Sequence, residues 1–144
     1  MEISTATLHK KILETENIDG YLDDNEKNML DVTLSEYLNQ LLAKKGLILA
    51  KVIRKSGLVK SYVHQIFNGE KRPSRDKLIA LAFGMDLNVE ETQRMLRLGG
   101  CSELYARKKR DALILFNIKH GKSISETETD LYERGLDTLL SRDG

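Results

Sequence analysis

The chain has 144 residues, 40% of them hydrophobic, with one proline, one cysteine, no tryptophan and a formal net charge of +1. That length supports one good core, or a small domain with a second one appended. Cys101 is alone, three scattered histidines give no zinc spacing, and no apolar run approaches a membrane span. The N-terminal MEISTATLHKK lacks the apolar centre of a secretory signal. A cytoplasmic protein is therefore expected, with no metal, no cofactor and no membrane partner.

Leu, Lys, Glu and Ala dominate the sequence, which predicts helix almost throughout, an all-α fold. The small net charge hides a division along the chain. Residues 1–36 sum to −6 and residues 37–77 to +8, with +2 over 78–110 and −3 over 111–144. Cations gathered on one segment suit a phosphate polymer, because neutralising phosphates drives most of the affinity for nucleic acid.

In chain order, Leu8, Ile12 and Leu13 fall at helical spacing and predict a short amphipathic helix. Asn17 to Asp31 is polar and acidic, with turn chemistry at Asp19-Gly20 and Asp23-Asp24-Asn25, so residues 1–32 read as an acidic N-terminal extension. Thr33 followed by Glu36 is a capping box. Leu34, Tyr37, Leu38, Leu41 and Leu42 then form a core stripe that stops at Lys44-Lys45-Gly46. Leu49, Val52 and Ile53 give the next short helix its apolar side, broken at Ser56-Gly57, where glycine supplies the left-handed conformation of a tight turn. The helix from Lys60 to Phe67 sorts onto two faces. Val63, Ile66 and Phe67, with Val59 just before them, are expected to be buried. Lys60, Ser61, His64, Gln65 and Asn68 lie opposite, and each carries a hydrogen-bond donor. After the basic loop Gly69 to Pro73, Ser74 caps a helix from Arg75 to Phe83 whose Leu78, Ile79, Leu81 and Ala82 close the core.

From Leu34 to Leu98 these residues resemble the lambda-repressor-like, Cro/C1-type (XRE) helix-turn-helix domains. The likeness is carried by Gly57 in the turn, Val63 and Ile66, the Asn68-Gly69 exit, Arg72-Pro73-Ser74, and the Leu78-Ile79-Ala80-Leu81-Ala82 helix ending near Gly84. It implies a helix-turn-helix domain over 33–100, flanked by the helical N-terminal extension 1–32 and a C-terminal helical hairpin extension over 101–144. Double-stranded DNA is the implied partner, bound usually by a homodimer with the second helix of the motif in the major groove. Lys60, Ser61, His64 and Gln65 occupy the positions that face base edges. Lys44, Lys45, Lys51, Asn68, Lys71 and Arg72 are the candidates for phosphate. Gln65 is the best placed for specificity, since a carboxamide can bond bidentately to adenine N6 and N7. The chain differs from the family pattern at Ile48-Leu49-Ala50, where a phosphate-holding glutamine is common, and at Val59, which cannot cap a helix.

A 35-residue shift lays the stretch beginning at Ser74 over the stretch beginning at Lys109. Arg75-Asp76 then meets Arg110-Asp111, Leu78-Ile79 meets Leu113-Ile114, Glu91-Thr92 meets Glu126-Thr127, and Gly100 meets Gly135. Each copy reads as a helical hairpin whose second helix opens with a capping box, Asn88 with Glu91 and Ser123 with Glu126. Neither hairpin can bury its apolar face alone, so the pair is expected to stack on one another or on the domain. Between the copies, Arg107-Lys108-Lys109-Arg110 opposes the dipole of the helix it begins, a cost unless an anion lies nearby. Leu113, Ile114, Leu115, Phe116 and Ile118 form the most apolar helix, expected at the centre of the C-terminal packing, any exposed part being a dimerisation surface.

No side chains fall at spacings that suggest a nucleophilic triad or general acid–base work, and Glu91 and Glu126 are accounted for as caps. An enzyme is not expected. Two functions follow: a sequence-specific DNA-binding regulator of transcription, or an adaptor that keeps the helix-turn-helix scaffold and holds a protein partner through its acidic arm or C-terminal hairpins.

Overall fold

A computed structural model describes residues 4–25 and 32–140. Among these residues the fold is all-α, nine helices with no strand, and no helix is long and apolar enough to cross a membrane. The chain divides into two compact units, residues 1–32 and 33–144.

The first unit holds α1 (Thr5–Glu14) and α2 (Ile18–Asp24). The expected turn at Asp19-Gly20 is instead the first turn of α2, because the Asn17 side chain accepts the Gly20 N–H at 3.2 Å and caps the helix. Asp19 suits that position through the helix dipole. Leu13, Ile18 and Leu22 stay largely exposed.

The second unit comprises α3 (Leu34–Lys44), α4 (Leu49–Ser56), α5 (Lys60–Phe67), α6 (Arg75–Gly84), α7 (Val89–Leu98), α8 (Lys109–Lys119) and α9 (Ile124–Glu133). The capping box at Thr33 forms, with Thr33 Oγ1 accepting the Glu36 N–H and Glu36 Oε1 accepting the Thr33 N–H, both at 3.2 Å. So do those at Asn88 and Ser123. The centre of the unit is α6, in which every residue from Leu78 to Gly84 is buried, as its apolar residues on all sides require. α4, α7 and α9 pack on it, and Leu38, Val52, Val63, Ile66, Met95 and Leu96 are buried in the same core. α4 crosses α6 so tightly that a Cβ on Gly84 would lie 2.6 Å from the Val52 carbonyl oxygen.

The two hairpins repeat each other in detail. Arg75 donates from Nη1 and Nη2 to the Asp111 carboxylate at 3.1 and 2.8 Å, and Arg110 does the same to Asp76 at 2.9 and 3.0 Å. Each arginine also uses Nε on a carbonyl beyond its own hairpin's second helix, Ser102 for Arg75 and Asp137 for Arg110; those two carbonyls are themselves 35 residues apart. α6 packs on α9 as α7 packs on α8. Each hairpin gives what it receives, which is the relation of a two-fold pair. The expected stack is therefore a closed pair.

α6 is the centre of the unit because α4 covers it and no described helix plays that part for α8, which packs on α7 and α9. The outcome is visible at one repeated position: Leu81 is fully buried, whereas its counterpart Phe116 is 52% exposed. Leu104 and Leu139 are both buried at the ends of their hairpins. Gln93 holds the first through its Oε1 on the Leu104 N–H at 2.7 Å. Glu128 holds the second, accepting the N–H groups of Leu139 and Leu140 at 2.6 and 3.0 Å.

Candidate nucleic-acid interface

The turn between α4 and α5 is built by three residues. Gly57 takes φ +73°, which favours glycine, and a Cβ there would also meet the Leu140 side chain at 2.7 Å. The buried Ser56 hydroxyl donates to the Ile53 carbonyl at 2.9 Å and accepts the Leu58 N–H at 3.1 Å. Leu58 enters the core, and Val59 is 69% exposed. The expectation that Val59 is buried is thus corrected. Val59 precedes the helix in extended backbone, φ −69° and ψ 136°, so it does not share the helical face of Val63 and Ile66.

Within α5, Val63, Ile66 and Phe67 are buried. Lys60, Ser61, His64 and Asn68 are exposed and Gln65 is half-buried, all on the outward side. None of these five side chains has a hydrogen-bond partner among the described residues. The far end of α5 is pinned by Asn39, whose Nδ2 donates to the Phe67 carbonyl at 2.9 Å. Gly69 then turns the chain at φ +79° into the loop that exposes Lys71 and Arg72 and buries Pro73. Behind the face, burial pushes the Tyr62 hydroxyl pKa up, with a backbone hydrogen bond from Ser74 opposing it. Lys77 lies over the Tyr62 ring, 5.3 Å from its centroid.

The cations of this region divide into engaged and free. Lys45 is held by Glu91 at 2.9 Å, and Lys55 pairs with Asp86. Lys44, Lys51, Lys60, Lys71 and Arg72 are exposed and form no ion pair among the described residues. Arg54 shares that state, although it is absent from the set expected from sequence. Its position three residues after Lys51, on the same exposed side of α4, is the feature that identifies it.

The starts of the two helices also differ from most others. Side chains cap α1, α2, α3, α6, α7 and α9. α4 and α5 begin at Ile48 and Val59, with no side-chain cap and no acidic residue in the first turn. The Lys51 N–H bonds the Ile48 carbonyl at 3.0 Å; the other first-turn N–H groups and the positive dipole ends of both helices remain for an outside acceptor. Uncapped helix ends, unengaged cations and a donor-lined helix together can hold an anionic polymer. Among the described residues, no group of three or more His, Cys, Asp or Glu side chains is arranged to hold a metal ion.

Compared with protein-family models, curated proteins and solved structures, the chain matches none.

Proposed function

We propose that this chain is a lambda-repressor-like helix-turn-helix protein that binds duplex DNA sequence-specifically and regulates transcription in the cytoplasm, as a homodimer. α5 would enter the major groove with Lys60, Ser61, His64 and Gln65 toward base edges. Lys44, Lys51, Asn68, Lys71 and Arg72 would lie on phosphates, joined by Arg54, with Lys45 released to them only by giving up Glu91. The observation that carries this proposal is the outward face of α5, five donor-bearing side chains without a partner among the described residues, flanked by cations without counter-ions among those residues. A buried scaffold helix would have its polar groups satisfied internally.

Selection of the purified protein on a random duplex library at two salt concentrations tests it, with Gln65→Ala alongside. The expected result is a compact motif that the variant blurs at one base pair, by roughly 1–3 kcal/mol. Recovery of nothing, or of the same salt-sensitive pool with both proteins, refutes direct readout. A protein-interaction adaptor is the alternative, favoured by the exposure of Phe116 and of Tyr132 (77%) on the last hairpin. Under it, Gln65→Ala and His64→Ala leave function intact, and partner capture tolerates salt.

A further inference from the structure

We propose that Arg107, Lys108 and Lys109, at the start of α8, form a second contact with the DNA backbone that lengthens the footprint of the α4–α5 surface; this rests on the DNA-binding function proposed above. The run of four cations that begins α8 separates into two parts. Arg110 is half-buried and committed to Asp76 through both terminal nitrogens, at 2.9 and 3.0 Å. Arg107, Lys108 and Lys109 are exposed and form no ion pair among the described residues. The nearest carboxylate along the chain, Asp111, is 3% exposed and holds Arg75 and the Tyr105 N–H, and it offsets the charge of Lys108 alone of the three. Three cations at a helix N-terminus are repelled by its dipole, so this arrangement is stabilised by an anion brought from outside.

The paired hairpins determine where that anion lies. The Arg75–Asp111 and Arg110–Asp76 bonds fasten the first turn of α8 to the first turn of α6. The first turn of α6 directly follows the exposed Lys71 and Arg72. Under the 35-residue correspondence Arg107 falls on Arg72 and Lys109 on Ser74, so each basic segment leads into one of the two first turns that the arginine–aspartate bonds fasten together. A duplex held on α5 and the loop after it would reach the cations of α8 across those joined turns. A duplex, with one negative charge per ~1.7 Å of helix axis, fits a band of this kind better than a single small anion does.

The test compares the wild type, Arg107→Ala/Lys108→Ala/Lys109→Ala and Gln65→Ala, as full chains, on two duplexes. One is trimmed to the selected motif and the other carries a further helical turn on each side. Wild type should prefer the long duplex. With three added phosphate contacts, that preference should fall roughly 40-fold between 50 and 200 mM salt. The triple variant should bind both duplexes as the wild type binds the short one and should select the same sequence. Removing cations from a helix N-terminus favours the helix, so it should unfold at or above the wild-type temperature. Equal binding of the long duplex by triple variant and wild type at both salts, while Gln65→Ala still blurs the motif, overturns the second contact alone. Equal loss on short and long duplexes places those cations inside the core footprint and overturns the extension. If the wild type binds no duplex, the DNA-binding function and this contact fall together.

Discussion

Gly84 offers a sharp test of how α4 is seated. It lies in the last turn of α6 with an ordinary helical backbone, so alanine there gains helix propensity, up to about 1 kcal/mol. Against that, the new Cβ would stand 2.6 Å from the Val52 carbonyl oxygen, 2.7 Å from Ser56 Cβ and 3.0 Å from the Ser56 N–H nitrogen. Ordinary contact begins near 3.4 Å, so α4 and α6 have to part by about 0.8 Å. Two of the three atoms are backbone and the third belongs to the buried serine that shapes the α4–α5 turn, so no flexible side-chain end can yield instead. Overpacking of this kind costs about 1–3 kcal/mol, leaving a net loss of up to roughly 2 kcal/mol once the full propensity gain is subtracted. Urea unfolding of Gly84→Ala beside the wild type measures it. Lys119→Ala, at the matching exposed position of α8, serves as the control and should change stability by no more than about 0.5 kcal/mol. A Gly84→Ala midpoint above wild type would refute the close approach of the two helices.

Asp111→Asn should cost roughly 2–3 kcal/mol at neutral pH, less than a wholly buried pair, because Arg75 keeps its carbonyl partners and some solvent. Burial pushes the Asp111 carboxyl pKa up, but the Arg75 guanidinium, the Tyr105 N–H and the Lys108 charge outweigh it and hold the pKa below its ordinary value. A depressed folded pKa stabilises above the unfolded value, near 4, and that contribution is lost as pH falls through the folded value. Unfolding midpoints of wild type and variant should therefore converge below about pH 4; a gap that stays constant to pH 2.5 would contradict this origin. At the other hairpin, Glu128→Ala should lose about 1–3 kcal/mol by freeing two N–H groups. Glu128→Gln keeps one acceptor oxygen, the part that Gln93 plays for the Leu104 N–H in the first repeat, so it should lose about half as much. Equal loss in both variants, measured by thermal unfolding, would argue against equivalence of the repeats.

Features that depend on neighbours in sequence were legible before the structure. The capping boxes at Thr33, Asn88 and Ser123, the left-handed glycine at 57 and the two faces of α5 all arise within a few residues, where helix geometry leaves few alternatives. The 35-residue repeat was legible too, but the pairing it encodes was not. Adjacent residues such as Arg75 and Asp76 do not face each other on a helix, and only tertiary packing directs each arginine to the other hairpin's aspartate. Val59 misled because the helical period was extended one residue beyond the helix. Lys45 read as a candidate for phosphate, and its bond to Glu91 joins residues distant in sequence. On the candidate interface the donors could be named from sequence, but their lack of internal partners could not, since it depends on where every other side chain goes.

The exchange of Arg75, Asp76, Arg110 and Asp111 between the hairpins has a consequence for assembly. A hairpin with both an arginine and an aspartate at matched positions is complementary to itself, so a single one presents a surface on which an identical hairpin can seat. Here that seat is taken from within the same molecule, and both guanidiniums and both carboxylates are engaged. The array is complete at two members, with no vacant partner for a third, unlike an open solenoid that can be lengthened at its end. Two whole chains meeting on a palindromic site would have to join through another surface.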